Sequence, residues 1–396
     1  MRNTQMSSKP KGKIIVTGIL FWYPLAGVTY QFLHYMLGLR NLGYDAYYIE
    51  DSGRYVYDAT LNDLSPDAAN NVAAVQPALD KLGFKGKWAF RGAYEGGKCY
   101  GMTHEQILKL YAEADAILNV TGAQELRDEH MQIPMRVFVE SDPFAMQVKV
   151  VNGDRGVRDF LAQHTHHFTF GENIGASDCG IPKTPFTWQP TRQPVAMELW
   201  DMLPPVQSGQ SRYNTITTWK NKGKDVVHNG ETYYWTKDRE FEKYMSLPTQ
   251  RKGPFELATL VPDDIRTRLV ANKWLLADSF AISKDWNSYR AYIQHSRGEF
   301  TVARDQYVRP RTGWFSDRTC CYLAAGRPVI TEETGFSKFL PTGKGLFGFS
   351  CMDHVLAAID KIESNYPAAC QAAREVAQQY FAAEKVVGSV LQRAGL

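Results

Sequence analysis

Apolar residues fall along this chain in short runs rich in β-branched and aromatic side chains. Each run is followed by a loop, then by a stretch whose apolar positions repeat at helical spacing. "KIIVTGI" leads into an amphipathic helix expected over about 29–41, and "YDAYYIEDS" reads as the next strand. Further on, the helix "THEQILKLYAEA" precedes the strand "DAILNVTG", and "MRVFVESDP" and "HHFTFGENI" read as two more. Short buried strands separated by helices predict a doubly wound, mainly parallel sheet, with ligands beyond the carboxyl ends of its strands. The loops at those ends are "ILFWYPLAG", "EDSGRY", "TGAQE", "ESDP" and "GENIG".

The proline-rich stretch "IPKTPFTWQPTRQPVAMELWDMLPPVQSG" cannot hold a helix or a central strand and marks a boundary near 190–210. The rhythm then restarts. "YNTITTW", "KWLLADS" and "YRAYIQHSRGEF" read as strands, "SDRTCCYLAAG" as a helix, and "RPVITEETG" and "GLFGF" as strands. The helix "SCMDHVLAAIDKIESNY" follows. The expected organisation is a basic tail (1–13), an N-terminal Rossmann-like α/β domain (14–200), a second one (201–375), and a C-terminal helix (376–396) that returns to the first. Two similar α/β halves leave a cleft between them as the place for a ligand.

Composition narrows this picture. At 396 residues two domains are expected, and 44% apolar with 22% charged residues is ordinary for a globular chain. A net charge of +3 announces no dedicated nucleic-acid binder. Four cations, Arg2, Lys9, Lys11 and Lys13, sit in a tail without acids and are expected to be solvated. The six cysteines lack a CxxC pair and Cys320 and Cys321 are adjacent, which fits reduced thiols in a cytoplasm. His164, His166 and His167 have no further ligand at metal spacing and read as a strand edge. The apolar N-terminal stretch is broken by Pro24, Gly27, Thr29, Gln31 and His34, so no membrane span is expected.

The chemistry concentrates in "GWFSDRTCCYLAAGRPVITEETGF". Residues 320–325 are small and apolar, as a packed helix requires. Ser316, Asp317 and Arg318 stand at the mouth of that helix, where free amides and the helix dipole favour an anion. Arg318 would add a charge-assisted contact to phosphate, while Asp317 equally fits a helix cap. Glu332 and Glu333 end the following strand, where they would accept hydrogen bonds from sugar hydroxyls. "GKGLFG" fits a dinucleotide fingerprint but follows Pro341 rather than a first strand, so it reads as a turn, and "NVT" at Asn119 carries no weight in a cytoplasmic chain.

The succession of a helix, "AAGRPVITEETGF" and "GKGLFGFSCMDHVLAAIDKI" resembles the donor-binding half of GT-B-fold glycosyltransferases over roughly 290–390. The resemblance implies that Ser316, Asp317, Arg318 and Thr319 hold the diphosphate of a nucleotide sugar. It also places Glu332, Glu333, Thr334 and Gly335 beside the donor sugar, and Arg297, Gly298 and Glu299 of "HSRGEF" beside base and ribose. Gly27 would let backbone approach the phosphates. Residues 319–321 lack the acidic pair of the retaining branch, which leaves stereochemistry open.

For the acceptor, Asp142 in "VFVESDP" is the first choice of general base, with Glu140 and Asp51 behind it. Each also fits a solvated loop carboxylate or a cap. Phe21, Trp22, Tyr23, Tyr55 and Tyr57 would stack on a flat acceptor or join the core. The expected co-substrate is a UDP-, TDP- or GDP-sugar and no cofactor is required. No DxD triplet occurs, in keeping with metal independence. A nucleotide-sugar epimerase of the same fold and a non-catalytic sugar- or nucleotide-binding protein are the alternatives. A nucleic-acid acceptor rests only on the tail and on Lys220, Lys222 and Lys224. The protein is expected to be a monomer or homodimer.

Overall fold

A computed structural model describes residues 10–61, 63–92, 96–205, 211–221, 223–251 and 253–396. Arg2, Lys9 and most of the basic tail lie outside them, as do Lys222 and residues 206–210 of the proline-rich stretch.

The first sheet has eight strands in the order Trp188–Pro190, His166–Thr169, Met135–Glu140, Ala116–Val120, Lys13–Thr17, Asp45–Glu50, Trp88–Gly92, Lys98–Gly101. Only the last pair is antiparallel. Helices cover both faces, which is why Ile14, Ile15 and Val16 are all fully buried and the strand reads as an unbroken apolar run. Trp188–Pro190 is the edge strand, the one place in a sheet where the proline-rich stretch can pair.

The second sheet has six parallel strands, ordered Leu275–Ala277, Phe255–Ala258, Tyr213–Ile216, Gly298–Thr301, Val329–Glu332, Leu346–Phe349. Strand order reverses between Lys13–Thr17 and Ala116–Val120 in the first sheet, and between Tyr213–Ile216 and Gly298–Thr301 in the second. The loops beyond both reversal points line one cleft, as the crevice rule for open α/β sheets requires.

The helix Asp317–Ala324 ends as its small residues and Gly326 predict. Gly326 takes φ +67°, its N–H donates to the Leu323 carbonyl, and the Arg327 N–H reaches back to Tyr322. The two halves share core. Tyr30 of the helix Ala26–Asn41 packs on Trp200 at 4.8 Å and stacks on Tyr289 at 5.8 Å, and Phe315 stacks on Phe381 at 5.2 Å. The last helix, Ala383–Ala394, lies along Ala26–Asn41, so close that a Cβ on Gly38 would stand 3.0 Å from that of Ala383.

One expected strand is a helix. "YRAYIQHSRGEF" folds as the helix Trp286–Gln294, then the strand Gly298–Thr301. Asp285 caps the helix by accepting from the Ser288 N–H, and Tyr289 and Ile293 bury one face at i, i+4 spacing. Two hairpins were not expected. Val56–Asp58 pairs with Asp63–Ser65, and Val226–His228 pairs with Glu231–Tyr233. No helix among the described residues is long and apolar enough to cross a membrane. All six cysteines are free thiols.

Candidate active site

The cleft holds about 680 Å³ and opens into a side pocket of about 360 Å³ that shares Leu25, Ile216, Lys237, Ser283, Arg304 and Arg318 with it. Two helices point their amino ends into it. In Ala26–Asn41, no side chain caps the first turn and no acid neutralises it, and Leu25, Gly27 and Val28 line the cleft. In Asp317–Ala324, the N-cap Ser316 makes no capping bond and faces the same space. Both ends direct the positive pole of a helix at the cleft, and in the second the first-turn acid Asp317 accepts from its own N–H.

Lys237 is a cation on the wall of the same cleft. It stands at the foot of the hairpin Val226–Tyr233, beside the helix Asp238–Lys243, and is only 8% exposed. Its amine has no hydrogen-bond or ion-pair partner among the described residues. Burial first, then the charges of Arg318 and Arg304, push its pKa well below the usual 10.5. Arg304 follows the strand Gly298–Thr301. Its guanidinium lies 3.6 Å over the Trp235 ring, Nη1 donates to Asp142 at 3.2 Å and to the Tyr307 hydroxyl at 2.8 Å, and its buried Nε lacks a partner. Lys224, at the other foot of the hairpin, lies 4.7 Å over Trp235 and lines the cleft.

Arg318 lines the cleft but its nitrogens are engaged below it. Nε donates to Glu299 at 2.6 Å, Nη1 to the Ile216 carbonyl and Nη2 to the Thr301 hydroxyl. It therefore ties together the ends of the two strands at the reversal point, and contributes charge to the cleft rather than free N–H groups. Glu299 is its buried counter-ion and also accepts from Thr215. Thr319 is fully buried within the helix. Asp317 lines the cleft and its carboxyl is pushed up to about 7 by burial and by Asp142 across the gap.

The remaining candidates separate. Asp142 lies in the cleft, 40% exposed, accepting from Arg304 and Tyr307 of the other half. Glu140 is buried beneath it, accepts from Gln147 and Thr169, and is pushed up to about 8 by burial. Asp51 is locked between Arg91 and Arg127. Arg297 and Gly298 sit at the amino end of the strand Gly298–Thr301, opposite the cleft, where Arg297 pairs with Glu363 and packs over Tyr366. The helix Trp286–Gln294 explains this placement: the strand starts where the expected one ended. Glu333 accepts from the Gly335 N–H, Thr334 donates to the Trp314 carbonyl, and none of residues 332–335 lines the cleft.

Glu332 hydrogen-bonds Glu240 and accepts from the Ala303 N–H in the interior. Burial and its carboxyl neighbour hold its pKa well above the usual 4.5. A carboxyl raised by folding stabilises the fold fully below that usual value, and the contribution is lost as pH climbs toward the raised one. The melting temperature is therefore expected to decline from pH 6 to 9, and Glu332→Gln to flatten that decline. An unchanged pH profile in the variant would show that the pair does not govern it.

The opposite wall is aromatic. Trp22 packs on Tyr23 at 5.1 Å, Tyr23 stacks on Tyr57 at 5.5 Å, and the Arg54 guanidinium lies 4.7 Å over Trp22. Buried Glu50 shapes this wall by accepting from the N–H groups of Phe21 and Trp22. Thr121 and Gly122, both at positive φ, complete it. Phe21 itself belongs to the core, and Tyr55 is exposed. Among the described residues no group of three or more His, Cys, Asp or Glu side chains is placed to hold a metal ion.

No protein-family model and no curated protein sequence matches this chain. Solved structures do. An alpha-glucosyltransferase in complex with UDP and a 13-mer DNA containing a HMU base superposes with a TM-score of 0.59 at 9% identity, covering 97% of this chain and 100% of that one. A glycosyltransferase from Rickettsia africae ESF-5 gives 0.54 at 11% identity, covering 97% and 98%. The sucrose-phosphate synthase of Thermosynechococcus elongatus gives 0.53 at 9%, again covering 97% and 98%. At such identities the likeness is one of architecture, and that architecture, two parallel α/β sheets facing each other across a cleft, is the GT-B fold.

Proposed function

We propose that the protein is a glycosyltransferase that moves a sugar from a nucleoside diphosphate to a hydroxyl of its acceptor. The observation that carries this reading is Lys237, a buried amine without a partner among the described residues, on the wall of a cleft shared by two helix amino ends at the reversal points of both sheets. A buried amine without a partner is costly unless a ligand completes it, and the chemistry that fits beside two guanidiniums is a diphosphate. The side pocket, walled by Phe280, Leu260, Thr217, Thr218, Ser279 and Ser283, has the size and the hydroxyls for the nucleoside. The solved structures with UDP in this fold favour uridine as its base.

In the reaction the bond between the anomeric carbon and the diphosphate oxygen breaks, and its electron pair stays on the diphosphate. Lys237, Arg304 and the helix amides stabilise that developing charge. We assign to these groups the role a metal plays elsewhere and expect transfer to persist in EDTA. Asp142 is placed to take the proton of the acceptor hydroxyl. The Trp22–Tyr23–Tyr57 wall with Arg54 suits a flat acceptor at the cleft mouth, and the DNA-bound neighbour makes a nucleic-acid base the acceptor to try first. The free cysteines are in keeping with a reducing cytoplasm.

UDP is expected to raise the melting temperature of the protein by several degrees at saturating concentration, as a ligand of the folded state does. TDP, GDP and the corresponding sugars complete the series. If none of these nucleotides shifts the transition, the cleft is not a nucleotide site and the reading falls.

A further inference from the structure

We propose that the donor site takes up a proton together with its ligand: Lys237 is a free amine in the empty cleft and becomes an ammonium when a nucleoside diphosphate enters. The inference rests on the reading of the cleft as a nucleotide-sugar site and adds to it the protonation state in which that site waits.

No carboxylate oxygen stands within ion-pair distance of the Lys237 amine among the described residues. Glu299, the carboxylate nearest in charge, accepts from Arg318 and Thr215 at Oε1, and its buried Oε2 stays beyond ion-pair distance of the amine. Glu332 is turned to Glu240 and to the Ala303 N–H. Glu240, on its own helix, pairs with Lys243. The neighbouring Asp238 accepts from the Thr236 hydroxyl and the Arg239 N–H, with Lys220 4.0 Å away. Asp142 is taken by Arg304 and Tyr307. The guanidiniums of Arg318 and Arg304 act on the amine more strongly than the carboxyl groups of Glu299 and Glu332 do, and Lys224 and Asp317 line the same cleft.

An amine buried beside two guanidiniums, with no carboxylate oxygen at ion-pair distance, is more stable without its proton. A diphosphate reverses the balance. It brings negative charge into a small, weakly screened space, and an ammonium then gains a charge-assisted hydrogen bond that a free amine cannot make. The proton comes from solvent, so ligand and proton bind as one linked event. Asp317 is the other group in reach that a diphosphate would drive toward its protonated form, and the two must be told apart.

The test is isothermal titration of the full-length protein with UDP, TDP and GDP at pH 8, where a terminal phosphate is fully ionised. Each titration is repeated in buffers of different ionisation enthalpy, so that the heat reports the protons exchanged. The expected result is an uptake approaching about one proton per nucleotide, persisting in Asp317→Asn and largely lost in Lys237→Arg, whose guanidinium is charged throughout. Binding without proton uptake, or uptake unchanged in Lys237→Arg, overturns the proposal and leaves the glycosyltransferase reading standing. Uptake abolished in Asp317→Asn overturns it too, by moving the proton to the carboxyl.

Should Lys237→Arg not fold, the pH dependence of UDP affinity in Asp317→Asn gives the same answer. Between pH 8 and 9.5, log Kd is expected to climb by about one per pH unit, and a flat profile overturns the proposal. If no nucleotide binds at any pH, the nucleotide-sugar reading itself fails, which is a different result from binding without protons.

Discussion

Transfer by the Lys237→Met variant is expected to run about 10²–10³-fold slower in kcat/KM than in the parent, the usual cost of removing one preorganised donor from a developing anion. The expected effect has a second, opposite half. Lys237 is buried without a partner among the described residues, and methionine fills a similar volume with no polar group to desolvate. The variant should therefore melt at the same temperature as the parent or higher, because burying an unpaired amine costs the fold stability. Loss of activity with retained or raised stability separates a ligand-binding lysine from a structural one. If Lys237→Met lowers the melting temperature and leaves turnover intact, the amine serves the fold and the diphosphate site lies elsewhere.

Asp142→Asn is expected to lower kcat by about 10²–10⁴-fold, the range contributed by a positioned general base. The amide keeps the size of the carboxylate and its carbonyl still accepts from the Tyr307 hydroxyl, so the link between the halves survives. What goes is the ability to take a proton. The donor's KM should change little, because the amide oxygen still accepts from Arg304 and Tyr307 and Arg304 keeps its place. Activity near that of the parent would remove Asp142 as the base and leave it as the residue that holds Arg304. An equal loss in Asp317→Asn, with Asp142→Asn intact, would move the proton-accepting role across the cleft.

The sheet elements were readable because both sheets are buried on both faces, so strands such as Lys13–Thr17 and Val329–Glu332 appear as apolar runs bounded by glycine or polar loops. The helix at Ser316 was readable from its small residues and from Gly326. The helix Trp286–Gln294 was not, since its aromatic and β-branched content imitates a strand, and its signals lie in the Asp285 cap and the Tyr289–Ile293 spacing. That one misreading carried Arg297 and Gly298 to the wrong end of a strand and hid Arg304, which follows the strand's true carboxyl end. Lys237 was invisible for a deeper reason. "WTKDREFEKYM" has the charge of a solvated helix start, and only the packing of the hairpin and of both sheets withdraws this lysine from water. Arg318 lines the cleft, and its bonds to Glu299 and Thr301 are invisible in the sequence because they depend on how the strands align.

The hairpin Val226–Tyr233 has a consequence for anyone who would recombine this protein. It is rooted in the second half of the chain, with Lys224 and Lys237 at its feet, yet it rests on the first. Tyr233 packs at 4.5 Å on Phe144, a residue held at φ +91°, and the Val227 carbonyl accepts from Asn152 at 3.0 Å. A chimera cut at the proline-rich stretch would carry the lysines into a new partner and leave their footing behind. Exchange of donor preference between relatives would thus have to move the Phe144–Asn152 segment with the C-terminal half, although the two are far apart in sequence. The halves of this protein are modules in topology but not in inheritance.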